Sequence, residues 1–318
     1  MGRIVAGLVA VWAGIGLWGA PVRAQIANLP PEVGQKIAAL GPVLNPDMIG
    51  AMYSAFRPLV KQAPMNTLKV TTDVSYGPDA RHLLDIYALA TQGPPRPVVI
   101  FIHGGGYVGG AKNNDGIYGN VATFFARHGA VAINATYRLA PQHPWPAGAE
   151  DVGRVVAWAK AHAAEHGGNP SRIVLIGHSA GATHVASYVF DPKLHSAEGA
   201  GIVGAVLVSG AFRVTKEGAA APNVAAYFGK DENQYVERSP ITHVAQSKVP
   251  LFLAIAEWDP PFLFSPTLEL AAEVCRRDGK CPRMIWQKGH NHISEMASFD
   301  TADHELGDAI LDWMGGLK

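Results

Sequence analysis

The sequence predicts one α/β domain, built on a mostly parallel central sheet with helices on both faces. Three observations predict it. From residue 98 onward, short apolar runs alternate with segments of helical periodicity, the pattern that lays parallel strands side by side with helices between them. The runs are continuously apolar and rich in Val and Ile, as in Ile173-Val174-Leu175-Ile176, which suits strands buried on both faces. The chain has 318 residues, 48% hydrophobic and only 16% charged, enough for one large core. A formal net charge of zero with scattered basic residues argues against a nucleic-acid partner. No internal repeat, heptad run or long low-complexity segment interrupts the pattern.

In chain order, Arg3 and the apolar run 4–20 precede Pro21-Val22-Arg23-Ala24, small or β-branched at the positions that a signal peptidase reads. Residues 1–24 are therefore expected to be a signal peptide, and the mature protein to be exported, periplasmic or secreted, without stable membrane insertion. Residues 25–66 are rich in Pro and Gly, with short helices expected over 32–40 and 46–60; neither could bury a core alone, so they read as a helical flap. Residues 67–75 and 82–88 alternate as two antiparallel strands around the turn 76–79.

The regular part follows. Strands are expected over 98–102, 131–135, 173–176, 203–209, 251–256 and 283–287. Helices are expected over 117–128, 149–165, the segment after Ser179, 265–277 and 301–314. Residues 211–247 break the rhythm and read as an excursion, a possible small lid. Cys275 and Cys281 enclose a short polar loop; in an exported chain they suit a disulfide, and free thiols are the alternative.

The chemistry-bearing motifs each follow a strand, where ligands of such sheets sit. Gly177-His178-Ser179-Ala180-Gly181 lies between an apolar strand and a helical segment. A serine at that corner is held on a strained turn with its hydroxyl exposed, so Ser179 is the expected nucleophile. A bare G-x-S-x-G arises by chance; the strand before it and the helix after it raise its weight. His103-Gly104-Gly105-Gly106-Tyr107 follows strand 98–102, and consecutive glycines let backbone N–H groups turn inward. Gly105, Gly106 and Ala180 are the expected oxyanion hole. The glycine run lacks the Gly-Lys-[Ser/Thr] of a phosphate loop, and the dinucleotide fingerprint fails on spacing.

A serine needs a base, and the base an orienting acid, here expected in the order acid then His. Asp259, after strand 251–256, is the expected acid, with Glu257 the fallback. His292 is the expected base, preferred to His290 for lying deeper in its loop. His290 and His292 show no third ligand at metal-binding spacing, so no metal and no cofactor are expected. Tyr107, His178, Trp258 and Phe262 are the candidate pocket residues.

With these motifs in hand, the chain resembles the α/β-hydrolase superfamily of serine esterases, near the hormone-sensitive-lipase-like branch and the bacterial feruloyl/acetylxylan esterase and arylformamidase-like branch. The likeness covers about residues 67–317 and rests on His103-Gly104-Gly105-Gly106, the block Tyr137–Ala147 with Glu150-Asp151, and Gly177–Gly181. It implies an α/β-hydrolase fold, carries Asp259 and His292 as acid and base, and sets the 137–151 block under the site. The chain departs from the hormone-sensitive-lipase pattern in having His178 before the serine, Trp258-Asp259-Pro260-Pro261 in the acid loop and His290-Asn291-His292-Ile293-Ser294 in the histidine loop; the two loops fit the feruloyl-esterase and arylformamidase branch better. What the likeness implies is a carboxylesterase for small-molecule esters of short acyl chains or compact aryl groups. An arylformamidase-like amidase or a non-catalytic hydrolase-fold binding protein are the alternatives.

Overall fold

A computed structural model describes residues 28–60, 65–114 and 116–317; the expected signal peptide lies outside them. The chain opens with helices α1 (Pro31–Leu40) and α2 (Pro46–Phe56), then strands β1 (Leu68–Ser75), β2 (Leu83–Leu89) and β3 (Arg96–Ile102). It continues through α3 (Gly119–Arg127), β4 (Val131–Ala135), α4 (Ala147–His162), β5 (Gly168–His178), α5 (Ala180–Phe190) and β6 (Gly204–Val208). Short helices α6 (Pro222–Phe228) and α7 (Tyr235–Arg238) precede β7 (Leu251–Trp258), α8 (Pro261–Asp278), β8 (Arg283–Asn291), α9 (Ser294–Ala297) and α10 (Glu305–Gly315).

The strands form one sheet in the order β1-β2-β4-β3-β5-β6-β7-β8. β1 and β2 pair antiparallel, as does β2 with β4, and every later pairing is parallel. Side chains alternate between two buried faces. Val99, Phe101, Val174, Ile176, Val206 and Val208 point into one cluster with α3 and α10. Val98, Ile100, Ile102, Ile173, Leu175, Ala205 and Leu207 point into the other, with α4, α5 and α8. This double burial is why the central strands read as unbroken apolar runs.

The N-terminal helices join the first of these cores. Asn45 caps α2 by accepting from the Met48 N–H at 2.9 Å, with Pro46 in the first turn. Ile37, Met48, Met52 and Phe56 are buried against the sheet cluster, each contributing about 1.5–3 kcal/mol. The segment expected to be a flap thus braces the sheet through its own apolar faces.

Several boundaries differ from the expected ones for local reasons. The helix expected from 117 begins at Gly119, because Tyr118 stands at φ +77°. The helix expected from 265 begins at Pro261, a residue preset for the first helical turn. The last strand runs on to Asn291, which pairs with Trp258 past an irregularity in β7. The last helix starts at Glu305 and not at 301, since Asp300 sits at φ +60° and the Thr301 hydroxyl donates back to the Ser298 carbonyl at 2.6 Å. Cys275 and Cys281 are joined in a disulfide, stapling the end of α8 to the loop before β8.

Candidate active site

Ser179 occupies the corner between β5 and α5 at φ +55°, a conformation a serine adopts only under strain of about 1–3 kcal/mol. The turn is tied to the sheet by the Ser179 N–H, which donates to the Val208 carbonyl at 2.9 Å. It also admits no side chain at Gly181, whose Cβ would lie 2.1 Å from the Ile102 carbonyl oxygen. That contact explains the second glycine of the motif: β3 passes against the first turn of α5.

Residues 103–110 fold back over this corner. Gly105 stands at φ +139°, and a Cβ there would sit 2.1 Å from the Gly109 carbonyl oxygen. A Cβ on Gly104 would lie 3.1 Å from that of Ser179, which places the glycine loop directly on the serine. Among the described residues, no group accepts a hydrogen bond from the N–H of Gly105, Gly106 or Ala180. The 137–151 block braces this loop from below. The Tyr137 hydroxyl donates to the His103 carbonyl at 2.9 Å, and the Arg81 guanidinium bridges the Tyr137 and Gly110 carbonyls at 2.7 and 2.9 Å. Arg138 in turn is clamped by Asp151 and Glu150 at 2.8 and 2.9 Å.

The candidate acid and base meet across the ends of β7 and β8. His292 Nδ1 donates to Asp259 Oδ1 at 2.9 Å. The other carboxylate oxygen of Asp259 accepts from the Ser209 hydroxyl at 2.6 Å and from the Ala256 N–H at 2.8 Å. Asp259 is therefore held by three donors. Glu257, the fallback, accepts from the Gly289 N–H at 2.6 Å and ties the two loops together. His290 is fully buried, with Nδ1 3.1 Å from the Ser294 hydroxyl and Nε2 2.8 Å from Asp303 Oδ2.

The four candidate pocket residues separate. Tyr107 lies beside Ser179's helix, its hydroxyl 3.2 Å from Thr183 Oγ1, its ring stacked on Tyr227; burial pushes its pKa up to about 12. His178 does not line a pocket. It is enclosed beneath the site, accepting at Nδ1 from the Tyr118 hydroxyl at 3.0 Å and donating from Nε2 to the His292 carbonyl at 2.9 Å. The residue before Ser179 thus anchors the backbone of His292. Burial, with His292 beside it, holds His178 neutral, its pKa well below the usual imidazole value. Trp258 packs into the first core cluster near Gly41, and Phe262 is 61% exposed at the start of α8.

Ser209, Tyr118 and Glu295 went unseen in the sequence. The first two stand at φ +50° and +77°, strained positions that only a structure exposes. Folding also supplies what sequence spacing did not: ligand atoms of His178, His292 and Glu295 lie within 4.8 Å of one another. In the hydrogen-bond pattern His178 Nε2 donates to the His292 carbonyl and His292 Nδ1 to Asp259.

The excursion closes on the same corner. Val214, Tyr227, Phe228 and Tyr235 form a third apolar cluster with Tyr107 and Ala180, and the Asn223 side chain donates to the Gly106 carbonyl at 3.1 Å.

Known proteins share this fold. The family model described as the prolyl oligopeptidase family matches residues 146–316, over half of the 318-residue chain, and one described as BD-FAE matches residues 84–190. The chain belongs to the α/β-hydrolase superfamily and, within it, to the prolyl oligopeptidase family. Carboxylesterase NlhH of Mycobacterium tuberculosis is 42% identical to this α/β-hydrolase over 86 residues, 27% of this chain and 26% of that protein. The probable carboxylic ester hydrolase LipM of the same species is 28% identical over 285 residues, 79% of this chain and 64% of LipM. The chain spans about a quarter of the length of the first curated relatives it matches. Among solved structures, a hyperthermophilic esterase from Pyrobaculum calidifontis superposes with TM-score 0.65 at 22% identity, covering 90% of this chain and 98% of that one. Esterase B from Lactobacillus rhamnosis superposes with TM-score 0.70 at 17% identity, covering 89% and 96%.

Proposed function

We propose that this α/β-hydrolase is a serine carboxylesterase. The observation that carries the reading is the His292–Asp259 pair brought to the strained Ser179 turn, beside three backbone N–H groups with no acceptor among the described residues. In this mechanism His292 takes the Ser179 proton as Oγ attacks the ester carbonyl, and Asp259 holds Nδ1–H so that Nε2 is the basic nitrogen. The N–H groups of Gly105, Gly106 and Ala180 receive the oxyanion. His292 then protonates the departing alcohol, and water, activated by the same histidine, hydrolyses the acyl-enzyme.

The third apolar cluster, seated on Tyr107 and Ala180 beside the serine, supports short acyl chains or compact aryl esters. The names of the relatives, a carboxylesterase and a carboxylic ester hydrolase, support ester substrates. Export is part of the proposal: it rests on residues 1–24 and on the Cys275–Cys281 disulfide, which suits an oxidising compartment.

Hydrolysis of p-nitrophenyl esters from acetate to palmitate, wild type beside Ser179→Ala, tests the reading. Turnover greatest on the short esters and abolished in Ser179→Ala is expected. A wild type inert on every ester rejects it. The mass of the mature protein from an exporting host, against cleavage after Ala24, tests the export.

A further inference from the structure

Three peptide units carry or flank the proposed oxyanion N–H groups of the glycine loop, and each is held at its carbonyl. His103 Nδ1 donates to the Gly104 carbonyl at 2.6 Å, and the Gly109 N–H to the Gly105 carbonyl at 3.0 Å. Both of those anchors lie inside the loop itself. The Gly106 carbonyl is different. Among the described residues it accepts only from the Asn223 side chain, at 3.1 Å and 117 residues away.

A peptide is planar, so one held at its oxygen is held at its N–H as well. The Gly104 and Gly105 carbonyls therefore aim the N–H groups of Gly105 and Gly106. A glycine turns freely between its two peptides unless both are held, and for Gly106 the second is the one that Asn223 holds. Gly106 stands at φ +57° and Tyr107 at φ +72°, so this peptide joins two consecutive left-handed residues. A tyrosine keeps that conformation only where its surroundings over-determine it. Three contacts do so: Asn223 on the peptide before it, the Ala140 N–H on its own carbonyl at 3.0 Å, and the Tyr227 ring stacked on its ring at 5.0 Å. Two of the three come from α6, where Asn223 and Tyr227 stand four positions apart on one face. The Trp145 N–H donates to the Tyr227 carbonyl at 2.8 Å, which ties the end of α6 to the 137–151 block.

We propose that Asn223 is a positioning residue for the oxyanion hole. With Tyr227 beside it, its amide clamps the strained Gly106–Tyr107 turn and keeps the Gly105 and Gly106 N–H groups aimed at the oxyanion. The inference deepens the esterase reading given above and rests on it. It gives residues 211–247 a part in the chemistry, because the excursion then acts on the transition state through one hydrogen bond to the loop.

The test is kcat and KM for p-nitrophenyl butyrate across pH 5 to 9, with the inhibition constant of an alkyl trifluoromethyl ketone. The carbonyl oxygen of that ketone becomes an oxyanion when a serine adds to it. Wild type, Ser179→Ala, Asn223→Ala and Asn223→Asp are compared. Aspartate keeps the shape of asparagine and loses the donor, so both 223 variants are expected to lower kcat about 10-fold, with KM within about threefold. In Asn223→Ala the pH profile is expected to stay that of wild type, since acid and base are untouched. The inhibition constant is expected to rise by the factor that kcat/KM falls. Wild-type kcat and inhibition constant in Asn223→Asp overturn the inference, whatever the alanine variant does. So does a raised KM at unchanged kcat, which makes Asn223 a wall of the substrate pocket, or a lowered kcat at unchanged inhibition constant, which marks damage to the fold. A wild type inert on the ester, or activity surviving in Ser179→Ala, is a separate result: it removes the triad reading, and the inference with it.

Discussion

His290 and His292 stand two residues apart where β8 ends, both buried and both against an aspartate. His292 Nδ1 lies 2.9 Å from Asp259 and His290 Nε2 lies 2.8 Å from Asp303. They differ in what is left over. His290 spends its second nitrogen on the Ser294 hydroxyl at 3.1 Å. His292 keeps Nε2 without a hydrogen-bond partner among the described residues, and its ring lies 4.5 Å from that of His178, the neighbour of Ser179. An acid partner therefore does not make a base. In the proposed mechanism the unspent Nε2 of His292 does.

The largest effect should separate the two pairs outright. His292→Ala and Asp259→Asn are expected to lower kcat/KM for a short p-nitrophenyl ester by about 10⁴-fold, as loss of a triad member does elsewhere. The comparison breaks if Asp303→Asn costs as much as Asp259→Asn. A smaller effect sharpens it from the other side of the site. Gly105→Ala forces a Cβ to within 2.1 Å of the Gly109 carbonyl oxygen at φ +139°, displacing the loop that bears two of the oxyanion N–H groups. It is expected to lower kcat by about 10²-fold while the pH profile stays that of wild type, since acid and base are untouched. A shifted profile would mean that the two sides of the site are not independent.

Next comes the pair that the proposed mechanism does not use. His290→Gln and Asp303→Asn are expected to keep kcat within about threefold and to lose about 1–3 kcal/mol in urea unfolding, the cost of stranding a buried partner. Unchanged stability would show that the second pair holds nothing together.

How much of this was legible follows from where the contacts run. The Ser179 turn and the glycine loop are contiguous motifs, because one tight bend must supply every atom, and they read directly. Asp259 and His292 could be placed only as strand-end loops. Their mutual contact spans 33 residues, and choosing His292 over His290 needed the partner of each ring. Ser209, Glu295 and the true place of His178 were invisible: the Ser209–Asp259 bond spans 50 residues and the His178–His292 bond 114. Sequence pattern reports period and local turn. It does not report which strand ends meet, and the order of the sheet decides that.

The smallest effect concerns buried histidines that have no acid partner among the described residues. His184 is enclosed by the rings of Tyr107, Tyr137 and Tyr227, and His103 stacks on Tyr137. Burial drives both pKa values down to about 3 from an ordinary 6.5. As pH falls below about 6.5 the unfolded chain takes up protons at these positions and the folded chain does not, so stability falls between pH 6.5 and 3, by up to about 1.4 kcal/mol per pH unit for each histidine. Glu295 works in the opposite sense. Its folded pKa is raised, so its contribution is complete below the ordinary value of 4.5 and declines as pH rises toward the folded pKa. Between pH 4.5 and 6.5 the two effects compete, and His103, His184 and His178 outnumber the one acid, so acidification should destabilise. His184→Leu removes one histidine and its two nitrogens, which have no hydrogen-bond partner among the described residues. Urea unfolding at pH 5, 6 and 7 is expected to show a shallower fall for this variant, by up to about 1.4 kcal/mol per pH unit. Parallel lines for the two proteins would mean that His184 is protonated inside the fold, despite its aromatic enclosure.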